Sequence, residues 1–305
     1  MATMTPEQWG ILFEPKLRKV FFQTYKEIEE QFSKVFKTEK SEKREETDFH
    51  AAELGIWDKH GDSVDYEDFE PGDEVTYRHE TFSKGVLIPF ELAEDDQYNV
   101  IGPRGAGTKR TQNLARGARA RVEQDSADVL NDGFTVNGYD GVPLFSDAHP
   151  TIKGADQSNL ITTKFSEDAL KEARLKMRKQ LTEAELKMSA IGKKLVVPAA
   201  GEYDALVVTQ TTAKTGSDHN DKNVVGSMIE SVVVMDYLDE GSGTDDYKWF
   251  LMDPNLHEMT FFWRVKPEFF NDQSIDRFIL KYTGRMRFSV GYSNWRGIVG
   301  SNATV

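Results

Sequence analysis

The stretch VTYRHETFSKGVLIPFEL, residues 75–92, decides how this sequence can fold. In the first half of the stretch and again in the second half, every second residue is apolar or partly apolar. These positions are Val75, Tyr77, His79 and Thr81, and then Val86, Ile88, Phe90 and Leu92. The alternation, with Ser83-Lys84-Gly85 between the halves, predicts a β-hairpin with Lys84 at its tip. Pro89 cannot donate to a ladder, so the second strand should be an edge strand or carry a bulge, and its apolar face needs a surface to cover it.

Upstream of this stretch, residues 14–36 show the spacing of an amphipathic helix. The apolar stripe consists of Leu17, Phe21, Tyr25, Ile28, Phe32 and Val35. Pro15 suits the first turn of such a helix, and the charged run KTEKSEKREETD (37–48) predicts a solvated linker after it. The apolar stripe either binds a partner surface or packs on the chain's own core, and the sequence leaves both interpretations open.

Downstream, the pattern predicts helices first and strands later. One long helix is expected over 108–131, and a second over 166–181 with Ser166 as its N-cap. Short strands are expected at 195–198, 205–209, 231–238 and 249–252, and longer ones at 259–265 and 278–292. This order predicts a mixed α+β class.

Composition narrows the function classes. The chain has 305 residues, no cysteine and a formal net charge of −13, so disulfides, zinc–thiolate sites and thiol catalysis are excluded. No apolar run is long enough to span a membrane.

Within this acidic chain, residues 97–122 contain no acid, and Lys109, Arg116 and Arg119 project from the long helix. These cations could contact a polyanion such as DNA, contact acidic groups of another copy of the chain, or form a solvated face.

Residues 138–150, GYDGVPLFSDAHP, contain the side-chain types of a hydrolase triad in Asp140, Ser146, Asp147 and His149. Ser146 lacks the flanking glycines of a nucleophile elbow, and triad members normally come from distant segments. The interpretation favoured here is a structural loop in which Asp140 and Asp147 accept backbone hydrogen bonds.

Phosphate and metal motifs are incomplete. GPRGAGTK (102–109) has the threonine and lysine of a phosphate loop in reversed order, and DHNDKN (218–223) has Asn223 where a calcium loop needs glycine. The sequence therefore predicts no cofactor, no metal site and no enzymatic activity.

The order of several motifs carries a resemblance over nearly the whole chain. They are TPEQWGILFEPKLRKVF (5–21), the segment 41–98, YDGVPLFSDAHP (139–150), WFLMDP (249–254), KPEFF (266–270) and RMRFSVGYSNWRGIVGS (285–301). Together they resemble the major capsid proteins of tailed bacteriophages, which have the Hong Kong 97 type fold, and within them the Mu-like major head subunits.

The resemblance implies a division of the chain. It comprises an N-terminal arm (1–61), an E-loop hairpin (62–100), a P-domain (101–191) with spine helix 108–131 and second helix 166–181, an A-domain (192–257), and return strands (258–305). It implies subunits that assemble into pentamers and hexamers of an icosahedral shell around double-stranded DNA. A neighbouring copy would then cover the E-loop residues Val86, Ile88, Phe90 and Leu92 and the arm residues Leu17, Phe21, Tyr25 and Ile28.

The implied partners are other copies of the chain, a separate scaffolding protein, a portal, cement or decoration proteins, and packaged DNA held by weak non-specific contacts, without a membrane. The implied location is the virion, after assembly in the cytoplasm of a bacterial host. Some relatives join subunits through an E-loop lysine, but Lys84 is expected to remain an ordinary solvated lysine. The alternatives are an encapsulin-like compartment, a hydrolase using residues 138–150, and a plain soluble oligomer.

Overall fold

The computed structural model describes residues 6–51, 56–57, 59, 71–89, 105–151, 154–212, 222–239, 247–274 and 279–303. The α-helices are α1 (Pro6–Glu27), α2 (Phe32–Val35), α3 (Ala106–Asn131), α4 (Glu167–Lys179) and α5 (Glu202–Gln210). The strands are β1 (Lys37–Lys40), β2 (Glu45–Ala51), β3 (Pro71–Arg78), β4 (Glu80–Pro89), β5 (Leu160–Ile161), β6 (Lys194–Val197), β7 (Ser231–Val234), β8 (Trp249–Met252), β9 (Met259–Ser274), β10 (Ile279–Tyr292) and β11 (Ile298–Ser301). The predicted α+β class is confirmed. None of the described helices is long and apolar enough to cross a bilayer.

A four-stranded sheet joins the two ends of the sequence. Its order is β1-β9-β10-β4, with β9 and β10 forming a long antiparallel pair. Strand β1 runs parallel to β9, and β4 runs antiparallel to β10 from Ile279↔Pro89 to Phe288↔Glu80. Helices α1 and α3 pack on this sheet, where Leu17, Leu114 and Leu280 share one core cluster.

A second sheet has five strands in the order β5-β11-β8-β6-β7. Its central strand β8 is the apolar run Trp249–Met252, and all of its residues are buried. A continuous apolar run is expected where both faces of a strand are covered. Helix α4 contributes Leu170, Ala173 and Met177 to the same core.

The predicted hairpin over residues 75–92 is wrong. Strand β3 pairs with β2, whereas β4 pairs with β10. Residues Ser83–Gly85 form no turn, because they lie inside β4 opposite Thr283–Arg285. Alternating apolar residues identify a strand, but they do not identify its partner. The expected edge position is confirmed, since β4 is the last strand of its sheet and ends at Pro89.

Three further expectations need correction. Residues 37–48 contain β1 and part of β2, because β9 offers backbone partners to the charged run predicted to be a linker. Residues 205–209 lie in helix α5, where Ala205 and Thr209, four residues apart, are both buried. The helix predicted over 14–36 is two helices, α1 and α2.

The two helices predicted over 108–131 and 166–181 are confirmed within two residues. Helix α3 spans 106–131, against the expected 108–131, and α4 spans 167–179, against 166–181. Ser166 caps α4 as predicted, because its side-chain oxygen accepts a hydrogen bond of 3.1 Å from the Ala169 backbone N–H.

Candidate assembly surfaces

The N-terminal helix packs on its own subunit. Leu17 and Phe21 are buried, and the Phe21 ring lies 5.4 Å from the ring of Phe269. Ile88, on β4, belongs to the same core cluster. The structure therefore answers the question that the sequence left open, and a neighbouring copy cannot contact these three side chains without displacing the core.

The other predicted contact residues are either half-buried or outside the described part of the chain. Tyr25, Ile28 and Val86 are half-buried, so part of each remains accessible. Phe90 and Leu92 lie outside the described residues. For these five residues the inter-subunit role stays a prediction.

Arg119 is a buried link between α1 and α3. Its side chain is only 5% exposed, and its guanidinium lies 3.9 Å from the centroid of the Tyr25 ring. One nitrogen donates a 3.2 Å hydrogen bond to the Tyr25 backbone carbonyl, and the Glu30 carboxylate is 3.7 Å away. Burial raises the pKa of the Tyr25 hydroxyl to about 12. The sequence left contact with DNA, contact with a neighbour's acids or a solvated face open for Arg119, but its charge is instead buried and engaged inside the subunit.

Glu123, one turn after Arg119 on α3, connects this helix to the start of α2. Its carboxylate accepts hydrogen bonds from the backbone N–H groups of Gln31 (3.1 Å) and Phe32 (2.8 Å), and it lies 3.9 Å from Arg119. Burial raises the pKa of this carboxyl group. Its spacing of four residues from Arg119 on one helix was the available sequence signal for an ion pair.

The other two cations predicted to contact DNA or a neighbour do face outward. Lys109 and Arg116 are exposed on α3. Their contact with DNA or with an acidic neighbour therefore remains a prediction. Lys84 is also exposed, but it lies inside β4 opposite Gly284 and not at a hairpin tip. Its predicted lack of cross-linking is untested.

The loop 138–150 brings Asp140 and His149 together without Ser146. The His149 ring is buried, with Nδ1 2.6 Å from an Asp140 oxygen and Nε2 3.2 Å from the Asn159 side-chain oxygen. The ring also stacks on Trp295 at a centroid distance of 4.2 Å. Both ring nitrogens thus have partners: Asp140 closes the loop on itself, and Asn159 holds it to the segment that follows.

Ser146 has a local structural role. Its hydroxyl accepts a 3.2 Å hydrogen bond from the Ala148 backbone N–H, while Asp140 accepts one from Val142 as the sequence predicts. Asp147 is exposed. The arrangement has a histidine–carboxylate pair but no nucleophile bonded to the histidine, so it lacks the geometry of a hydrolase triad. Among the described residues, no group of three or more His, Asp or Glu side chains could hold a metal.

The strands β2 and β3 form a separate two-stranded sheet. The described residues of this hairpin and its connection expose three large apolar side chains: Phe49 (69%), Ile56 (77%) and Trp57 (93%). Isolated hairpins are marginally stable in water, and large exposed apolar side chains on such a hairpin suit an interaction surface. Sequence reasoning missed this feature because it assigned residues 37–48 to a linker, although Phe49 and Trp57 stand out in their polar surroundings.

A cleft of about 430 Å³ opens between α3 and the strands β4 and β10. We call it the cationic cleft. Its apolar floor includes Phe21, Phe82 and Leu114, and its rim carries Lys84, Arg121 and Arg285. The three cations are exposed, and the Arg121 guanidinium lies 4.7 Å from the Phe82 ring centroid.

A family model described as "Phage capsid protein" matches residues 72–301, well over half of the sequence. The chain belongs to this phage capsid protein family. The chain is therefore a phage capsid protein, as the resemblance in its sequence implied. No curated protein matches it.

Solved structures show the same fold at low sequence identity. The mature capsid of bacteriophage PhiM1 matches with a TM-score of 0.59 and 11% identity, covering 88% of this chain and 85% of that one. The capsid of a native GTA particle matches with a TM-score of 0.59 and 11% identity, covering 90% of each. The virus-like particle from Pyrococcus furiosus matches with a TM-score of 0.57 and 10% identity, covering 95% and 99%. The phage capsid protein thus has the Hong Kong 97 type fold.

Proposed function

We propose that this protein is the principal shell subunit of a tailed bacteriophage, assembling into pentamers and hexamers of an icosahedral capsid around double-stranded DNA. The family match over residues 72–301 carries the proposal. The assembled capsids among the similar structures support homo-oligomeric association. The role is structural, without catalysis, and the paired His149 and Asp140 serve to fix a loop.

The E-loop of the subunit is the β2–β3 hairpin, residues 45–78, and not the range 62–100. Two observations support this revised boundary. The hairpin has no third strand among the described residues, and it exposes Phe49 and Trp57. Strand β4, which the earlier range included, is part of the four-stranded sheet. A neighbouring copy would cover the exposed side chains and add the apolar burial that an isolated hairpin lacks.

The remaining divisions follow the sheets. The four-stranded sheet with α1 and α3 corresponds to the P-domain, and the five-stranded sheet to the A-domain. The five-stranded sheet takes strands from outside the range 192–257, since β5 and β11 both join it. The return strands therefore serve both domains, with β9 and β10 in one sheet and β11 in the other.

Further partners and the location follow from the role. A shell of this class needs a scaffolding protein, a portal for DNA entry and, in some phages, decoration proteins. Assembly takes place in the host cytoplasm before the subunit becomes part of the virion. An encapsulin-like compartment would share the fold, but the family match favours a phage shell.

Negative-stain electron microscopy of the purified protein, alone and co-expressed with the adjacent scaffold gene, tests the proposal. Shells, capsomer rings or tubes are expected. A monodisperse monomer or dimer under both conditions would contradict it. Particles that enclose protein cargo and exclude DNA would favour the compartment alternative.

A further inference from the structure

We propose that the cationic cleft receives the acidic, aromatic segment 62–70 (DSVDYEDFE) of a second copy of the chain. The inference rests on the proposed function, because it identifies which surface the hairpin of a neighbouring subunit contacts.

The cleft combines an apolar floor with a cationic rim. No ion pair joins Lys84 or Arg285 to any acid that the structure describes, while Arg121 is paired with Asp125 at 2.8 Å. Such a site suits an occupant with both aromatic and acidic side chains, because the floor accepts a ring and the rim accepts carboxylates. A DNA backbone would use the cations of the rim but would bury none of the apolar floor.

The segment 62–70 has the complementary chemistry. It contains the aromatic residues Tyr66 and Phe69 and five acids: Asp62, Asp65, Glu67, Asp68 and Glu70. No lysine or arginine occurs from 60 to 77. The net charge of the chain is −13, so most other surfaces of a neighbouring copy would repel this segment, whereas the cationic cleft would attract it.

The reach of the chain favours the cleft of a second copy over the cleft of the same subunit. Both ends of the connection 52–70 lie at the far end of the hairpin, where Ala51 pairs with Pro71. Tyr77 shares a 2.7 Å hydrogen bond with Ser293, beyond the end of β10, whereas Phe82 in the cleft lies opposite Met286 within β10. Tyr66 is five residues from Pro71 and can extend at most about 18 Å from it.

Disulfide cross-linking gives a direct test, since the natural chain has no cysteine. Tyr66→Cys is combined with Ser83→Cys, an exposed position in the cleft, and assembled particles are oxidised and run on a non-reducing gel. A ladder of covalent oligomers is expected from the double variant. Each single variant should give at most a dimer. Particles of the double variant without a ladder would overturn the proposal.

A charge swap provides an independent test in the cysteine-free chain. Lys84→Glu with Arg285→Glu should reduce the yield of particles about tenfold. Glu67→Lys with Asp68→Lys should do the same, and the four changes together should restore the yield to within about twofold of the natural protein. The matched control is Lys187→Glu with Lys222→Glu, which changes the net charge equally at exposed positions and should assemble normally.

The outcomes separate this inference from the proposed function. If the natural protein forms shells but the charge swap restores nothing, the cleft assignment fails and the shell function stands. If cleft variants form normal shells that lose DNA, the cleft binds the genome and the proposal fails. If the natural protein forms no assembly of any kind, the proposed function itself fails.

Discussion

The Arg119 guanidinium lies over the Tyr25 ring at 3.9 Å and joins the N-terminal helix α1 to the long helix α3. The two residues are 94 positions apart in the sequence. A cation over an aromatic ring in a desolvated site contributes more than an exposed pair does, and Glu123 adds a carboxylate on the other side. This arrangement predicts that the docking of α1 and α2 depends on one buried charge.

Arg119→Met should lower the free energy of unfolding of the unassembled subunit by about 2–4 kcal/mol, because it leaves Glu123 buried without its cation. Arg116→Met, an exposed change on the same helix, is the control and should cost less than about 0.5 kcal/mol. Urea unfolding of both variants checks the prediction. Equal losses in the two variants would show that Arg119 is not a special link.

Asp140→Asn should destabilise the subunit by about 1–3 kcal/mol, since it weakens the 2.6 Å hydrogen bond to the buried His149. Ser146→Ala should cost much less, because only one hydrogen bond within the loop is lost. Thermal unfolding measures the difference. Assays with ester and peptide substrates should detect no hydrolysis in the natural protein, and activity that disappears in Ser146→Ala would restore the hydrolase alternative.

Asp125 should make the subunit more stable as the pH falls from about 6 to about 4. Burial outweighs the effect of the Arg121 guanidinium and raises the pKa of this carboxyl group to about 6 in the folded state. The folded protein therefore takes up the proton at a higher pH than the unfolded chain. Asp125→Asn should raise the free energy of unfolding by about 1–2 kcal/mol at pH 7 and have little effect near pH 4. Urea titrations at both pH values test this, and an equal gain at both would contradict it.

His257 should make the subunit less stable as the pH falls, over a pH range similar to that of Asp125. Burial, with Lys37 and Lys194 nearby, lowers the pKa of its imidazole to about 4. The unfolded chain then binds the proton first, so stability falls as the pH drops from about 6.5 toward 4. His257→Gln should remove this loss, and its unfolding free energy should rise on acidification because Asp125 remains. A variant that keeps the pH profile of the natural protein would show that His257 does not titrate as inferred.

Lys109→Glu with Arg116→Glu should reduce the amount of DNA retained in particles while leaving empty shells intact. Both side chains are exposed on α3, and phosphate contacts of this kind weaken with rising salt. Particles are checked by electron microscopy and their DNA by quantitative extraction after nuclease treatment. Failure of shell assembly would indicate that these cations contact a neighbouring subunit, and unchanged DNA content would indicate a solvated face.

Features that depend on neighbouring residues were predictable from the sequence, whereas contacts between distant segments were not. The bounds of α3 and the Ser166 cap follow from spacing and capping within a few residues. The pairing of β4 with β10 does not, because alternation in residues 75–92 is equally consistent with a hairpin. Likewise, the spacing of Arg119 on α3 suggested an outward face, but the buried position arises from Tyr25 and Glu30, which a distant segment supplies.

The four-stranded sheet also constrains when a newly made chain can fold. Strands β1 and β4 are synthesised early, yet the strands they pair with, β9 and β10, span residues 259–292. Since translation proceeds from the N-terminus at about 5–20 residues per second, the ribosome has made most of the polypeptide before this sheet can close. The docking surface for α1 is incomplete until then. Until residues 259–292 have been made, a nascent copy therefore lacks both this sheet and the complete docking surface for α1, and it is not yet competent to assemble with other copies.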